Sequence, residues 1–236
     1  MNAYTRVPRS EAIKHGEPII SLRWIDVNKG DSHNPLYRSR LVGREFNVGK
    51  DDSLYAATPP LEALRMIISQ AATQCADGTF NREVMINDVS RAYFYAKPTR
   101  KIYIELPTED TETKENEVGV LNVCLYGTRD AAKGWQRTLS ADLISIGFVR
   151  GKGHPAIFHH PVKDIMTLVH GDGYCSCGCK KDLDWLEGEL KKRYEIKPQR
   201  ISAFDKQRSE ARILNRTVRR TDPRDTSLKA ISVTLR

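Results

Sequence analysis

The sequence predicts a mixed α+β fold, because segments with two different hydrophobic periods interleave along its 236 residues. Residues 61–75 and 181–194 carry apolar side chains at the three- and four-residue spacing of amphipathic helices. Residues 83–89 and 165–169 are short apolar runs that are typical of buried strands. The order strand, helix, hairpin, helix, strand favours the split βαβ arrangement over a doubly wound parallel sheet.

The N-terminal part of the chain begins with a polar segment. Residues 1–17 show little periodicity, so they predict a loose arm. Strands are predicted over 19–24 and 37–46, with a cluster of turn-forming residues at 28–35 between them.

Two arginines lie on one face of the second predicted strand. Arg38, Arg40 and Val42 share that face at the two-residue period of a strand. Two guanidinium groups placed in this way either bind a phosphate or keep a solvent-exposed edge strand from pairing. The residues alone leave both interpretations open.

The remaining predicted elements continue the same alternation of helices and strands. In chain order they are a helix over 61–75, strands over 83–89, 102–107 and 118–125, a helix over 130–146, a hairpin around residue 172, a helix over 181–194, and strands over 194–197 and 213–219. An acidic loop at 108–117 separates two of these strands.

The hairpin around residue 172 carries a carboxylate at its tip. Asp172-Gly173 lies between two β-prone runs, and we expect a type I′ turn in which Gly173 adopts positive φ at little cost. A second carboxylate, Asp88, ends the apolar run 84–89. Two carboxylates at strand ends are suited to sharing a pair of metal ions.

The net charge of +8 favours an anionic partner such as nucleic acid. Residues 191–236 hold 14 Lys and Arg against 5 Asp and Glu, which is typical either of a phosphate-binding track or of a solvated basic face. The sequence shows no signal-peptide core and no apolar run of about 20 residues. We therefore expect a cytoplasmic or nuclear protein.

The five cysteines do not form a recognisable framework. Their number is odd, and Cys175, Cys177 and Cys179 alternate along one predicted strand. Zinc sites need ligand spacings that are missing here, so small buried thiols are the favoured interpretation.

Several segments, taken together and in order, resemble the reverse transcriptase domain of copia-type retrotransposons. They are 37–44, similar to the family's fingers strand; 58–66, similar to its Pro-Val loop and following helix; 102–107, similar to its Val-Tyr-Met-x-x-Pro segment; 125–135, similar to its motif B; and 154–158, similar to its Asp-Pro-Ser-Leu-Tyr. The order and spacing of these matches, over about residues 22–220, carry the resemblance.

This resemblance implies a right-hand polymerase that copies an RNA or DNA template from a DNA primer with dNTPs, in a cytoplasmic virus-like particle or the nucleus. The implied regions are a polar N-terminal arm at 1–17, a fingers-like region at 18–82, a palm with a ferredoxin-like sheet and the catalytic hairpin at 83–202, and a basic connection or incomplete thumb at 203–236.

The resemblance also implies site residues. Asp88 and Asp172 would match palm carboxylates that hold two Mg²⁺ ions, with the backbone carbonyl of Val89 as a third ligand. Tyr93 would match the aromatic residue that packs under the incoming sugar, with a core aromatic as the alternative. Arg38 and Arg40 would hold the triphosphate, and Asp130 and Lys133 lie in motif B; Asp130 alternatively serves as a helix N-cap.

The sequence departs from the family at the catalytic box. Gly173 stands where the family has its second Asp, and His170 and Gly171 replace its Tyr and Val. In motif B, Asp130 and Ala132 replace Gln and Pro. At an effective dielectric of about 20, a unit charge about 4 Å from a divalent ion contributes several kcal/mol. Two hypotheses follow: an RNA-directed DNA polymerase that Gly173 weakens, or a catalytically dead remnant with a basic nucleic-acid-binding surface.

Overall fold

A computed structural model describes residues 2–46, 56–79, 81–202, 210–213, 216–220 and 231–235. The helices in this part of the chain are α1 (Arg9–His15), α2 (Leu61–Gln70), α3 (Ala131–Ser145) and α4 (Lys180–Lys191). The strands are β1 (Tyr4–Pro8), β2 (Ile19–Ile20), β3 (Leu22–Asn28), β4 (Tyr37–Gly43), β5 (Arg82–Val89), β6 (Tyr103–Ile104), β7 (Glu117–Leu121), β8 (Val149–Arg150), β9 (Ile157–His160), β10 (Ile165–His170), β11 (Gly173–Cys179), β12 (Ile196–Ile201), β13 (Glu210–Ile213), β14 (Arg216–Arg220) and β15 (Ile231–Leu235). These sheets and helices confirm a mixed α/β protein.

The chain forms two compact units, each built from two stretches of sequence. The first unit contains residues 1–56 and 92–138, and the second contains residues 57–91 and 139–236. The regions that the family resemblance implies are, in contrast, consecutive in the sequence.

The first unit contains a four-stranded sheet in the order β1-β7-β6-β2. Strand β1 pairs antiparallel with β7, from Tyr4 opposite Leu121 to Pro8 opposite Glu117. Residues 1–17 therefore hold a sheet strand and helix α1, and the expectation of a loose arm was wrong for this segment. The pairing partner of β1 lies more than 100 residues away, so the local sequence carries no sign of it.

The same unit contains a two-stranded ribbon of β3 and β4. In its register Arg38 lies opposite Val27, Arg40 opposite Ile25 and Val42 opposite Arg23. Cross-strand partners lie on the same face of a sheet, so Arg38 and Arg40 share a face as the sequence predicts.

The second unit is built on a six-stranded antiparallel sheet in the order β12-β5-β11-β10-β9-β8. A core on this sheet joins Leu64 and Ile67 of α2 to Val84, Leu168 and Cys175. Helix α4 buries Leu183, Leu186 and Leu190 in one stripe, the same stripe that the sequence predicts. Strands β13, β14 and β15 form a separate three-stranded sheet.

A disulfide corrects the interpretation of the cysteines. Cys179, at the end of β11, is bonded to Cys75 in the turn after α2, with 6.0 Å between the Cα atoms. The expectation of a thiol at Cys179 was therefore wrong, because 104 residues separate the two partners and only the fold brings them together. Cys175 and Cys177 are buried thiols, as expected, and Cys124 is also a buried thiol.

Much of the basic C-terminal segment lies outside the described residues, namely 203–209, 214–215, 221–230 and 236. Among the helices that the structure does describe, none is long and apolar enough to cross a membrane.

Candidate active site

The tip of the β10–β11 hairpin carries Asp172. The two strands pair as far as His170 opposite Gly173, so Gly171 and Asp172 alone make the turn. Gly171 has a φ of +58°, whereas Asp172 does not have positive φ. Positive φ at the first central residue only is the pattern of a type II′ turn.

The predicted turn was therefore wrong by one residue. Gly173 belongs to strand β11 and does not supply the positive φ. Gly171 supplies it because the last strand pair is His170 with Gly173, so the two-residue turn lies one residue earlier in the chain than the Asp-Gly signal indicates. Glycines flank Asp172 on both sides, so the sequence allows two turn registers. The pairing of β10 with β11 selects the turn at Gly171-Asp172.

The backbone at Gly173 has room for a side chain. A Cβ there would have the backbone oxygens of Asn87 at 3.4 Å and His170 at 3.7 Å as its neighbours, which is ordinary van der Waals contact. The fold of the hairpin therefore does not require glycine at this position.

Gly173 lies directly beside Asp88 in the sheet. Their Cα atoms are register partners on β11 and β5, and Lys197 of β12 is the partner of Asp88 on its other side. Cross-strand partners present their side chains on one face, so position 173 would place a side chain next to the Asp88 carboxylate. Asp88 is exposed at this end of the sheet.

Backbone hydrogen bonds hold the hairpin tip against the end of β5. The N–H of Val89 donates to the carbonyl oxygen of Asp172 at 3.0 Å. One residue further on, the N–H of Ser90 donates to the carbonyl oxygen of Glu195 at 2.8 Å. The ends of β5 and the hairpin are thus fixed together, and Asp172 lies close to the strand that carries Asp88.

Asp88 and Asp172 line one cavity of about 290 Å³. Leu168 and Cys175 contribute apolar lining, and Arg212 contributes a cation. Burial raises the pKa of the Cys175 thiol, which forms part of the apolar lining of this cavity. The structure thus brings together the two carboxylates that the sequence predicts.

The donor set suits Mg²⁺ only in part. Two carboxylates are hard oxygen ligands of the kind that Mg²⁺ accepts, and Mg²⁺ commonly takes its other ligands from water and substrate phosphates. Within the described residues no group of three or more His, Cys, Asp or Glu side chains is arranged to hold a metal. Asp88 and Asp172 could therefore supply two of the oxygen ligands of a Mg²⁺ ion, and other groups would have to supply the rest.

The other predicted site residues belong to the first unit. Arg40 places its guanidinium carbon 5.3 Å from the centre of the Tyr126 ring. The Tyr93 ring lies 4.3 Å from the Tyr126 ring, centre to centre, at an interplanar angle of 31°. Arg38, two residues before Arg40, is exposed. Tyr126, inside the motif B-like segment, was not among the predicted site residues, yet it contacts two of them.

The loop that carries Tyr126 is held against the end of β4. The N–H of Gly43 donates to the carbonyl oxygen of Tyr126 at 2.7 Å. Gly127 has a φ of +81°, and a Cβ there would overlap the carbonyl oxygen of Gly43. Glycine is therefore required at 127, by its φ and by the close approach of two backbone segments.

Asp130 is fully buried where α3 begins. Its Oδ2 accepts hydrogen bonds from the N–H of Thr99 at 3.1 Å and from the Thr99 hydroxyl at 3.2 Å. Its carbonyl oxygen accepts the first helical bond, from Gly134 at 2.8 Å. The Asp130 side chain thus ties the loop at Thr99 to the start of α3, and Lys133 lies in the first turn of the same helix.

The class of protein follows from comparison with known families. Residues 5–204 match the family described as "Reverse transcriptase (RNA-dependent DNA polymerase)", and the chain belongs to that family. More particularly, it is a reverse transcriptase domain of the copia-type retrotransposon kind, which confirms the resemblance drawn from the sequence.

Two curated relatives support this assignment. "Retrovirus-related Pol polyprotein from transposon TNT 1-94" of Nicotiana tabacum is 25% identical over 192 residues, which are 77% of this chain and 14% of the relative. "Retrovirus-related Pol polyprotein from transposon RE1" of Arabidopsis thaliana is 28% identical over 149 residues, which are 59% of this chain and 10% of the relative. The chain thus spans a small part of the length of these proteins.

Proposed function

We propose that this domain is an RNA-directed DNA polymerase that extends a DNA primer on an RNA or DNA template. The observation that carries the proposal is the single cavity that Asp88 and Asp172 share at the hairpin tip. In the reaction the primer 3′-hydroxyl oxygen attacks the α-phosphorus of a dNTP, a new P–O bond forms, and pyrophosphate leaves. We propose a cytoplasmic virus-like particle or the nucleus as its location.

The strand order supports a palm in the second unit. Strands β5, β10, β11 and β12, with α3 and α4 between them in the chain, follow the β-α-β-β-α-β order of the ferredoxin-like motif. Asp88 is the second-last residue of β5 and Asp172 lies between β10 and β11, so both are at one end of this sheet. We propose that the first unit supplies the fingers through the β3–β4 ribbon. The region 203–236, proposed as a connection or part of a thumb, lies largely outside the described residues.

Asp88, Asp172 and the carbonyl of Val89 would hold the metal ions. Two Mg²⁺ ions, when bound, stabilise charge on the attacking and leaving oxygens of such an in-line displacement. The contribution of the chain is to fix both carboxylates at one sheet end, through the bond from Val89 to Asp172. Tyr93 would contact the sugar, and Arg38 and Arg40 the triphosphate. The first turn of α3 with Lys133, which Asp130 anchors, would complete the motif B region.

Primer extension tests the proposal. Purified protein receives an RNA template, a DNA primer, dNTPs and Mg²⁺, and Asp88→Asn is compared with wild type. We expect the substitution to reduce extension by at least about 100-fold, because the loss of one metal-binding charge amounts to several kcal/mol. Glu62→Gln, an exposed acid on α2, is the matched control. Where wild type extends the primer, equal extension by Asp88→Asn would show that the assigned site is wrong.

The second candidate function is a catalytically dead remnant that retains nucleic-acid binding. Gly173 favours it, because the position beside Asp88 has no carboxylate although the backbone there accepts a Cβ. If wild type does not extend primers but Gly173→Asp does, loss of that carboxylate explains the inactivity. Absence of binding to primer–template at low salt would contradict both candidates.

A further inference from the structure

Tyr126 stands at the centre of the predicted nucleotide-binding residues of the first unit. The guanidinium of Arg40 lies over its ring, and the ring of Tyr93 packs against it. Phe94 adds an edge-on contact with 6.2 Å between the ring centres. Arg40 and Tyr93, 53 positions apart in the chain, therefore share one aromatic neighbour.

The backbone of Tyr126 has little freedom to move. Its carbonyl oxygen accepts the hydrogen bond from Gly43, which ends the strand that carries Arg40. The next residue, Gly127, lies so close to Gly43 that no side chain fits between them. A second bond, from the N–H of Glu45 to the carbonyl oxygen of Gly127 at 3.3 Å, continues the contact.

The contacts of the Tyr126 ring fix two different chemical groups. A guanidinium that stacks on an aromatic face keeps its plane and its hydrogen-bond directions, which a flexible ammonium does not. Two rings packed at 4.3 Å limit each other's rotation. Removal of the Tyr126 ring would thus release a cation and an aromatic platform at the same time.

We infer that Tyr126 is a positioning residue that couples Arg40 to Tyr93, and so sets both nucleotide affinity and the preference for deoxyribose. The inference rests on the proposed function, because it takes Arg40 as a triphosphate ligand and Tyr93 as the contact to the sugar. Tyr126 itself need not touch the nucleotide.

Calorimetric titration of the protein–primer–template complex with dTTP and with UTP tests the inference. Ca²⁺ replaces Mg²⁺, so that binding is measured without turnover. We expect Tyr126→Leu to weaken dTTP binding about tenfold and to reduce the preference for dTTP over UTP, because both neighbours lose their support. Tyr126→Phe keeps the ring and should restore both values. Tyr37→Leu, an exposed aromatic on β4, is the matched control.

A second variant tests the same contact from the side of the cation. Arg40→Lys keeps the charge but replaces the guanidinium over the ring by a flexible ammonium, and we expect a loss of dTTP affinity comparable with that of Tyr126→Leu. Because the two residues act through one contact, the double variant should lose less than the product of the single losses.

The outcomes separate the inference from the proposed function. No dTTP binding by wild type would contradict the proposed function. Wild-type binding with unchanged affinity and unchanged dTTP preference in Tyr126→Leu, or with fully multiplicative losses in the double variant, would overturn the inference alone. An equal loss in Tyr126→Phe and Tyr126→Leu would also overturn it, because the hydroxyl group rather than the ring would then be responsible.

Discussion

Two glycines, Gly127 in the first unit and Gly173 in the second, differ in their backbone conformation and in the space around a Cβ. Gly127 of the first unit has positive φ and approaches the backbone of Gly43 so closely that a methyl group does not fit. Gly173 of the second unit lies in a regular strand, and a Cβ there meets only ordinary contacts. The fold therefore requires the glycine next to Tyr126, whereas it does not require the glycine beside Asp88.

The largest effect is expected for Gly127→Ala. The new methyl group would overlap the carbonyl oxygen of Gly43 in a backbone conformation that alanine adopts poorly. We expect a loss of about 3 kcal/mol in the free energy of unfolding, measured by urea denaturation. Gly153→Ala, at a glycine without close neighbours, should change it by less than about 0.5 kcal/mol. Similar small changes in both variants would contradict the constraint on Gly127.

A smaller effect is expected for Gly171→Ala at the hairpin tip. The position has a φ of +58° but nothing near its Cβ, so only backbone strain opposes the methyl group. We expect a loss of about 1 kcal/mol in the free energy of unfolding. A change at Gly171 that exceeds the change at Gly173 would support the Gly171-Asp172 turn; the reverse order would support the turn at Asp172-Gly173.

Acid unfolding tests whether the contacts of β1 with Asp110 stabilise the first unit. Hydrogen bonds from Arg6 and from the Tyr4 hydroxyl hold the pKa of Asp110 well below its ordinary value of 3.8. A lowered pKa stabilises the folded state above the ordinary value, and this contribution is lost as the pH falls towards the folded-state pKa. Acid unfolding of Asp110→Asn, followed by circular dichroism, should depend less on pH below about 4 than that of wild type.

The smallest effect is expected for Gly173→Ala. Because the strand conformation and the space both accept a Cβ, we expect a change below about 0.5 kcal/mol in the free energy of unfolding. This variant is also the structural control for Gly173→Asp, since it adds the Cβ without the carboxylate. A loss above about 2 kcal/mol would show that glycine is required at 173 after all.

The sequence predicted those features that depend on local pattern or on the ordered family segments. Hydrophobic periodicity predicts helices α2, α3 and α4 and strand β5. The neighbouring residues single out Asp88 and Asp172 as candidate site residues. The local sequence does not predict strand β1, the Cys75–Cys179 bond or the ring contacts of Tyr126, because each depends on partners far along the chain. The predicted turn register was wrong for a different reason. Glycines flank Asp172 on both sides, and only the pairing of β10 with β11 selects one of the two registers.

The disulfide has a consequence for the integrity of the domain. Cys75 and Cys179 close a covalent ring of chain that contains both Asp88 and Asp172, together with the exposed acidic segment 108–117. A protease that cuts once inside this ring opens it without separating the fragments. A nicked molecule would therefore keep both carboxylates on one covalent assembly until a reductant cleaves the sulfur bridge.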